Sequence, residues 1–337
     1  MRIAFTTALP KEGFVRLVER GLLDNGDWIS DNGNWTLKIE DLSSDALREV
    51  KILVSTFDYK VPRKMIESMP NLRLIANFGA GYNNIDLEVC KERGIRVTNT
   101  PQPVIEPTAE LAFALMNDVA RRVSEFDRLV RGIVPNGCPA PEPLRFGVMK
   151  NLSHSLYGKT LGILGMGRIG QSLARRAAAS GMKIIYHNRH ELTSERVKEL
   201  KGEGVQAQYV DFQTLLQDSD FLSLNLPYTP EVHHIIGKPE LGMMKRSAYL
   251  INTARGAHVD EAALVEALKS GIIAGAALDV YENEPKIHPD LLKLPNVVLS
   301  PHTGTGTWEG RIAMCENVCD NIIAFIDNNI NKMNIVL

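Results

Sequence analysis

The chain has 337 residues, 44% hydrophobic and 23% charged; this composition excludes a disordered protein, and the length suffices for two domains with separate cores. Lys plus Arg is 38 against 40 for Asp plus Glu, a formal charge of -2, and no basic run competes for a phosphate backbone, so nucleic acid is not an expected partner. No apolar run approaches the ~20 residues of a membrane helix, and the start, "MRIAFTTALP", reads as a strand rather than a signal peptide, so a soluble, cytoplasmic protein is expected.

In chain order, short β-branched runs alternate with helical stretches, the signature of parallel sheets covered by helices. Strands are expected near "RIAFT", "TLKIE", "KILVS", "RLIA" and "IRVT", with amphipathic segments such as "KEGFVRLVERGLL" and "DLEVCKERG" between them. A second series runs through "TLGIL", "KIIY", "DFLSLN", "SAYLIN", "AGAALDV" and "NVVLS". Two series imply two doubly wound parallel-sheet α/β domains, a flavodoxin-like one and a Rossmann one, with a cleft between them.

The join carries apolar residues at 112, 115, 116, 119, 123, 126 and 130, a helical period. A single helix from Thr108 to Arg131 would be about 36 Å long, more than one small sheet covers, so part of it is expected to pack on a second copy in a homodimer. "PNGCPAPEP" follows, where prolines 135, 139, 141 and 143 prevent any regular element. The last helical stretch, "WEGRIAMCENVCDNIIAFIDNN", is expected to return to the first domain. The boundaries read as 1–100 with 306–337, and 101–305.

Cys90, Cys138, Cys315 and Cys319 show no zinc-binding spacing, and Cys315 with Cys319 fits one apolar helix face; no metal site is expected.

Residues 158–189 give strand, glycine turn, helix and strand, with G-x-G-x-x-G at Gly165, Gly167 and Gly170. The first glycine permits the tight turn, the second lets backbone approach a pyrophosphate, and the third lets helix pack on strand. Arg168 and Ile169 open the helix, whose N-terminal N–H groups favour phosphate. In this motif a residue ending the second strand meets the adenine ribose, and an acid there repels a 2′-phosphate. Here "YHNRH" places Asn188 at that point with Arg189 next. Asn repels nothing and a guanidinium can clamp phosphate, so NADP(H) is expected over NAD(H), which stays possible. His187 and His190 flank the same pair.

The motifs "NFGAGYNNID", "TAELAFAL", "GKTLGILGMGRIG", "LNLPYTPE", "INTARG", "LDVYENEP" and "SPHTGTGT", with 29 residues from Arg255 to Glu284 and 18 from Glu284 to His302, carry a resemblance. Over nearly its full length the chain resembles the D-isomer-specific 2-hydroxyacid dehydrogenase family. Within it, the chain is most similar to the NADPH-linked glyoxylate/hydroxypyruvate reductases, mainly through Asn188 and Arg189. The resemblance implies a 2-keto acid reductase acting on a small substrate.

The roles can also be argued from chemistry. Such a reduction needs a cation to hold the carboxylate and polarise the carbonyl, an acid to protonate the oxygen, and a group that keeps that acid charged. Arg255 has the planar fork for the first, His302 is suited to the second, and Glu284 supplies the anion that favours imidazolium. Glycines 79 and 81 let the backbone N–H groups of Ala80 and Gly81 approach the substrate carboxylate. By resemblance, Asp279 contacts the nicotinamide end, Thr108, Thr253 and Gly304 are further cofactor contacts, and Pro227 shapes the adenosine pocket. Phe57 and Trp308 are candidate pocket walls.

Two departures stand out. "PNGCPAPEPLRFG" replaces a segment that often contains Trp in the family, and Thr303 stands where a bulky apolar residue is usual. Alternative readings are an NAD-linked dehydrogenase for bulkier acids and a dinucleotide-sensing module like the family's transcriptional corepressors. Phosphoglycerate dehydrogenase is disfavoured because no regulatory domain follows the last helix, and formate dehydrogenase because that reaction has no use for Glu284.

Overall fold

The structure, a computed structural model, describes residues 2–23, 39, 42–133, 147 and 149–337. Two compact units divide the chain: residues 1–107 with 305–337, and residues 108–304.

In the first unit β1 (Arg2–Phe5), β2 (Val50–Thr56), β3 (Leu74–Phe78) and β4 (Arg96–Thr98) form a parallel sheet in that order. Strands β2 and β3 are buried almost end to end, with Lys51 the one exposed residue, as parallel strands covered on both faces require. The helices are short: α1 (Val15–Glu19), α2 (Ser44–Glu49), α3 (Arg63–Glu67) and α4 (Leu87–Glu92). Asp86 caps α4 by accepting from the N–H of Val89 at 3.1 Å. The strand expected at "TLKIE" lies outside the described residues apart from Ile39.

The second unit begins within a helix. The stripe from 112 to 130 does not make one rod: α5 (Ile105–Arg121) stops and α6 (Val123–Val130) restarts after Arg122, whose φ is 58°. The break has a local cause. The Asp118 carboxylate accepts from the backbone N–H of Ser124 at 2.7 Å and from its hydroxyl, capping a new helix. Arg122 pairs with Glu125 and donates to the carbonyl of Leu152. The stripe also changes function at this point: Ala112, Leu115, Met116 and Val119 are buried in the core, whereas Val123 and Val130 are 58% and 67% exposed. The proline-bearing segment 135–143, with Cys138, lies outside the described residues.

Seven parallel strands follow: β5 (Thr160–Leu164), β6 (Lys183–His187), β7 (Ala207–Tyr209), β8 (Phe221–Leu224), β9 (Tyr249–Asn252), β10 (Gly275–Leu278) and β11 (Val297–Leu299). Their order is β11-β10-β9-β8-β5-β6-β7. The order reverses between β5 and β8, and in open α/β sheets ligands bind outside the strand ends at such a switch point. Strand β7, "AQY", was not anticipated; it is a short edge strand whose middle residue is exposed. Helices α7 (Arg168–Ala179), α8 (Ser194–Gly202), α9 (Phe212–Asp218), α10 (Lys238–Met243) and α11 (Glu261–Lys269) connect the strands.

The last helix, α12 (Trp308–Ile326), packs in the first unit against β3 and the turn Lys11–Phe14. A Cβ added at Gly13 would stand 2.1 Å from the Cβ of Cys315, so only glycine permits that approach. Cys315 and Cys319 lie on one face, both fully buried, and burial pushes their thiols up to about 12 and about 11. No described helix is long and apolar enough to cross a membrane.

Candidate active site

At the C-terminal end of β10 the chain turns through Asp279 to Glu284, and beyond β11 it reaches His302. The imidazole Nδ1 of His302 lies 2.8 Å from Glu284 Oε2, and the other oxygen of Glu284 accepts the N–H of Tyr281 at 3.0 Å. Burial raises the affinity of the Glu284 carboxyl for its proton. The hydrogen bonds of His302 and Tyr281, with the charges of His302 and Arg255, outweigh that and hold it below the usual carboxylate range. The pair is therefore an anion with an imidazole held against it.

His302 has a left-handed backbone, φ 54°, which costs a non-glycine residue about 1 kcal/mol or more. Its N–H donates to the carbonyls of Asp279 at 2.8 Å and Ser300 at 3.1 Å. Asp279, 1% exposed, accepts from the backbone N–H groups of Thr303 and Gly304, each at 2.8 Å. Burial pushes the Asp279 carboxyl up, against those bonds and the charge of His302. Asp279 thus fixes the turn that presents the imidazole. Thr303, the unusual residue at this turn, joins its hydroxyl to that of Ser300 at 2.7 Å.

Arg255 follows β9. A Cβ on Gly256 would fall 1.9 Å from the backbone of Tyr281, so glycine lets the arginine's loop press against the segment that carries Glu284. Burial lowers the Arg255 pKa and the charge of Glu284 opposes that; Arg255 Nη1 also donates to the carbonyl of Ala254 at 2.7 Å. The second unit alone therefore assembles Arg255, Glu284 and His302 at the ends of neighbouring strands.

The glycine turn follows β5. Gly165 has φ 98°, and a Cβ there would lie 2.8 Å from Asn225; one on Gly170 would lie 2.4 Å from the carbonyl oxygen of Gly165. A Cβ on Gly167, by contrast, would meet nothing within 4 Å. Gly167 heads α7 without a side-chain cap, leaving N–H donors and space where a pyrophosphate fits. Arg168 and Gly167 are exposed and Ile169 is partly buried. Thr253 Oγ1 and Asn225 Oδ1 are buried with no hydrogen-bond partner, an arrangement a bound dinucleotide would satisfy. Thr108, Asp279 and Gly304 cluster: a Cβ on Gly304 would lie 3.3 Å from Asp279 Oδ2 and 3.5 Å from Thr108 Oγ1. Pro227 lies in the segment after β8, near His258.

Asn188 stands at the end of β6, but its side-chain oxygen accepts the N–H of Met166 at 2.6 Å. It braces the glycine turn from the neighbouring strand. Arg189 is exposed, and its charge reaches Glu231. His187 instead accepts or donates at Nδ1 to the carbonyl of Val210 at 2.9 Å and stacks on Tyr209, and His190 is exposed.

In the first unit, the turn after β3 is braced from behind. Asn77 Nδ2 donates to the carbonyl of Gly81 at 2.8 Å, Asn99 Nδ2 to that of Ala80 at 2.8 Å, and Gly79 N–H to Thr100 Oγ1 at 2.9 Å. The carbonyls are thereby occupied, while the N–H groups of Ala80 and Gly81 donate to no described residue. Sequence reasoning missed Arg311 on α12. Its guanidinium lies 5.4 Å from the Phe57 ring centroid and 5.6 Å from that of Phe78, and burial lowers its pKa against the charge of Asp58. The only sequence signal was its place one turn inside the last helix. Trp308 is 61% exposed at the start of that helix.

Residues 113–304 match the family described as D-isomer specific 2-hydroxyacid dehydrogenase, NAD binding domain. The glyoxylate reductase of Thermococcus litoralis is 50% identical over 287 residues, 85% of this chain and 83% of that protein. The chain belongs to the D-isomer-specific 2-hydroxyacid dehydrogenases. Among solved structures, a Thermus thermophilus protein aligns over 100% of both chains at 35% identity and a TM-score of 0.82. An NADPH-dependent glyoxylate/hydroxypyruvate reductase from Sinorhizobium meliloti, in complex with NADP and malonate, aligns over 96% of this chain and 93% of that one, at 31% identity and a TM-score of 0.75. The chain is thus an NAD(P)-dependent oxidoreductase of the dehydrogenase family, and its second unit carries the nicotinamide dinucleotide site.

Proposed function

We propose that this dehydrogenase reduces a small 2-keto acid, glyoxylate or hydroxypyruvate, with NADPH as the preferred donor and His302 as the acid. The observation that carries the reading is the 2.8 Å contact between His302 Nδ1 and Glu284. It orients the ring so that Nε2 is the nitrogen that delivers the proton, and it stabilises the imidazolium before transfer.

Arg255 holds the substrate carboxylate and polarises the carbonyl beside it. In the first unit, the N–H groups of Ala80 and Gly81, which donate to no described residue, are suited to bind a carboxylate. Bound NADPH supplies the hydride; His302 gives its proton to the carbonyl oxygen as the C–H bond forms, and Glu284 remains the anion throughout. In the oxidative direction His302 is the base. Gly165, Gly167, Arg168, Ile169 and Gly170 hold the pyrophosphate, Thr108, Thr253, Asp279 and Gly304 serve the nicotinamide end, and Pro227 lines the adenosine end. Arg189 clamps the 2′-phosphate, with Asn188 contributing through the turn it braces and by carrying no charge to repel the phosphate.

The Thermococcus and Sinorhizobium relatives, named for glyoxylate and hydroxypyruvate reduction, support this substrate class. The exposed apolar residues Val123, Val130, Ile133, Met149, Leu152 and Tyr157 support a homodimer formed through α6 and the segment 149–157. The deciding experiment is a matrix of initial rates, NADPH and NADH against glyoxylate, hydroxypyruvate, pyruvate and an aromatic keto acid. NADPH with one of the first two should be fastest; a clear preference for NADH with the aromatic acid would sink the proposal.

A further inference from the structure

Outside the catalytic residues, the second unit holds one group of described side chains with the chemistry of a metal centre. His233 and His234 lie in the loop after β8, and Glu282 in the segment after β10; one ligand atom from each lies within 4.8 Å of the others. We propose that these three residues form a binding site for a divalent transition ion of the zinc class. The spacing of the cysteines gave no sign of it, because the ligands are imidazoles and a carboxylate brought together across 48 positions.

Three features argue for a built arrangement. First, successive residues of an extended segment point to opposite sides, yet the rings of His233 and His234 stack at 3.9 Å with an interplanar angle of 20°. The left-handed backbone of His234, φ 52°, makes that possible at a conformational cost that the surroundings must sustain. Second, the ligands have outer partners. The Tyr228 hydroxyl stands 3.4 Å from His233 Nδ1, a contact that orients a ligating ring, and the backbone N–H of Glu282 donates to Glu261 at 2.7 Å, which holds the backbone that carries the carboxylate. Third, access is graded. His233 is exposed, while His234 and Glu282 are partly buried, so an ion enters from solvent against two restrained ligands.

Two imidazoles and one carboxylate are a donor set that suits zinc, with a fourth position left for water. Tetrahedral bonds of about 2.0–2.1 Å require the ligand atoms to draw together from their present spread. His234 Nε2 and Glu282 Oε1, now 2.6 Å apart in a hydrogen bond, must part enough to admit the ion. Binding also requires the two stacked rings to part, so that their in-plane lone pairs converge on the ion. The backbone on either side is already tied down: His234 N–H donates to the carbonyl of Ala257 at 2.9 Å, and Ile236 N–H to that of His258 at 3.0 Å. A bound ion therefore cross-links the loop after β8 to the segment that runs into Glu284, and through those bonds to the loop of Arg255. This inference goes beyond the proposed reaction and does not depend on it.

The test is a calorimetric titration of Zn2+ into the metal-free full-length enzyme, with Co2+ absorption as the coordination probe. One equivalent should bind with the intense visible bands of a four-coordinate cobalt site. Glu282→Gln and His233→Ala should each weaken Zn2+ binding at least 10-fold, and His233→Cys should restore it, since thiolate also ligates zinc. His302→Ala should bind Zn2+ as the wild type does, which separates this site from the His302–Glu284 pair. Failure to bind one equivalent, binding that survives both Glu282→Gln and His233→Ala, or binding lost in His302→Ala would overturn the inference.

Discussion

The ends of β10 and β6 both present charge, but in opposite states of readiness. Past β10, Glu284, His302 and Asp279 are joined through side-chain and backbone hydrogen bonds of 2.8 to 3.1 Å. Past β6, Arg189 is exposed, and only Asn188 is tied down, to the turn next door. Under the proposed function, the difference separates chemistry from selectivity. Proton transfer needs geometry fixed before the substrate arrives, so the acid and its anion are held in place. Choosing between two cofactors that differ by a phosphate needs only a charge within reach, and an exposed arginine suffices.

Substitutions can break that contrast, beginning at the rigid end. His302→Ala should lower kcat by about 10²–10⁴-fold while leaving dinucleotide affinity, read by fluorescence titration, unchanged; an unaltered kcat would remove the acid from the reaction. Arg255→Lys should lower kcat/KM for glyoxylate on the order of 10²-fold, because an ammonium cannot engage the carboxylate with two parallel bonds. At the loose end, Arg189→Ala should raise the KM for NADPH about 10-fold, in line with one charge-assisted hydrogen bond, with KM for NADH unmoved. Equal losses for both cofactors would reject Arg189 as the clamp on the 2′-phosphate.

The smallest effect on turnover is expected at His258, fully buried beside the loop of Arg255. Burial lowers its pKa to about 4. An imidazole kept neutral in the fold binds its proton more readily when unfolded, so stability rises with pH between about 4 and the ordinary histidine value of about 6.5. It is lost as pH falls through that window. His258→Val should flatten the pH dependence of urea unfolding there by on the order of 3 kcal/mol, at about 1.4 kcal/mol per pKa unit. An unchanged slope would place the acid sensitivity elsewhere.

The strand-helix alternation and the glycine turn were legible because each rests on local necessity. Gly165 and Gly170 admit no Cβ, and a strand buried on both faces must be apolar throughout. Arg255, Glu284 and His302 were legible as residues just beyond strand ends. Where a longer-range contact decides, the pattern misled. The apolar period ran unbroken across Arg122, where a nearby polar contact, Asp118 accepting from Ser124, competes with helix continuation. The Asn188 oxygen accepts from Met166, a bond between two turns that no local pattern encodes. Strand β7 has one exposed residue in three, too little alternation to register. The pairing of His234 with Glu282 and the setting of Arg311 between Phe57 and Phe78 join segments far apart in the chain.

The contact of Gly13 with Cys315 bears on how the chain matures as it leaves the ribosome. Residues 108–304 are contiguous and can collapse as soon as they emerge, because every strand of their sheet is already present. The opening segment must wait, its apolar side uncovered, until α12 has been synthesised and can be laid against it. Substitutions at the buried positions of α12 should therefore lower yield during translation as well as destabilise the finished protein, with newly made chains exposing the β3 side of the first sheet to chaperones.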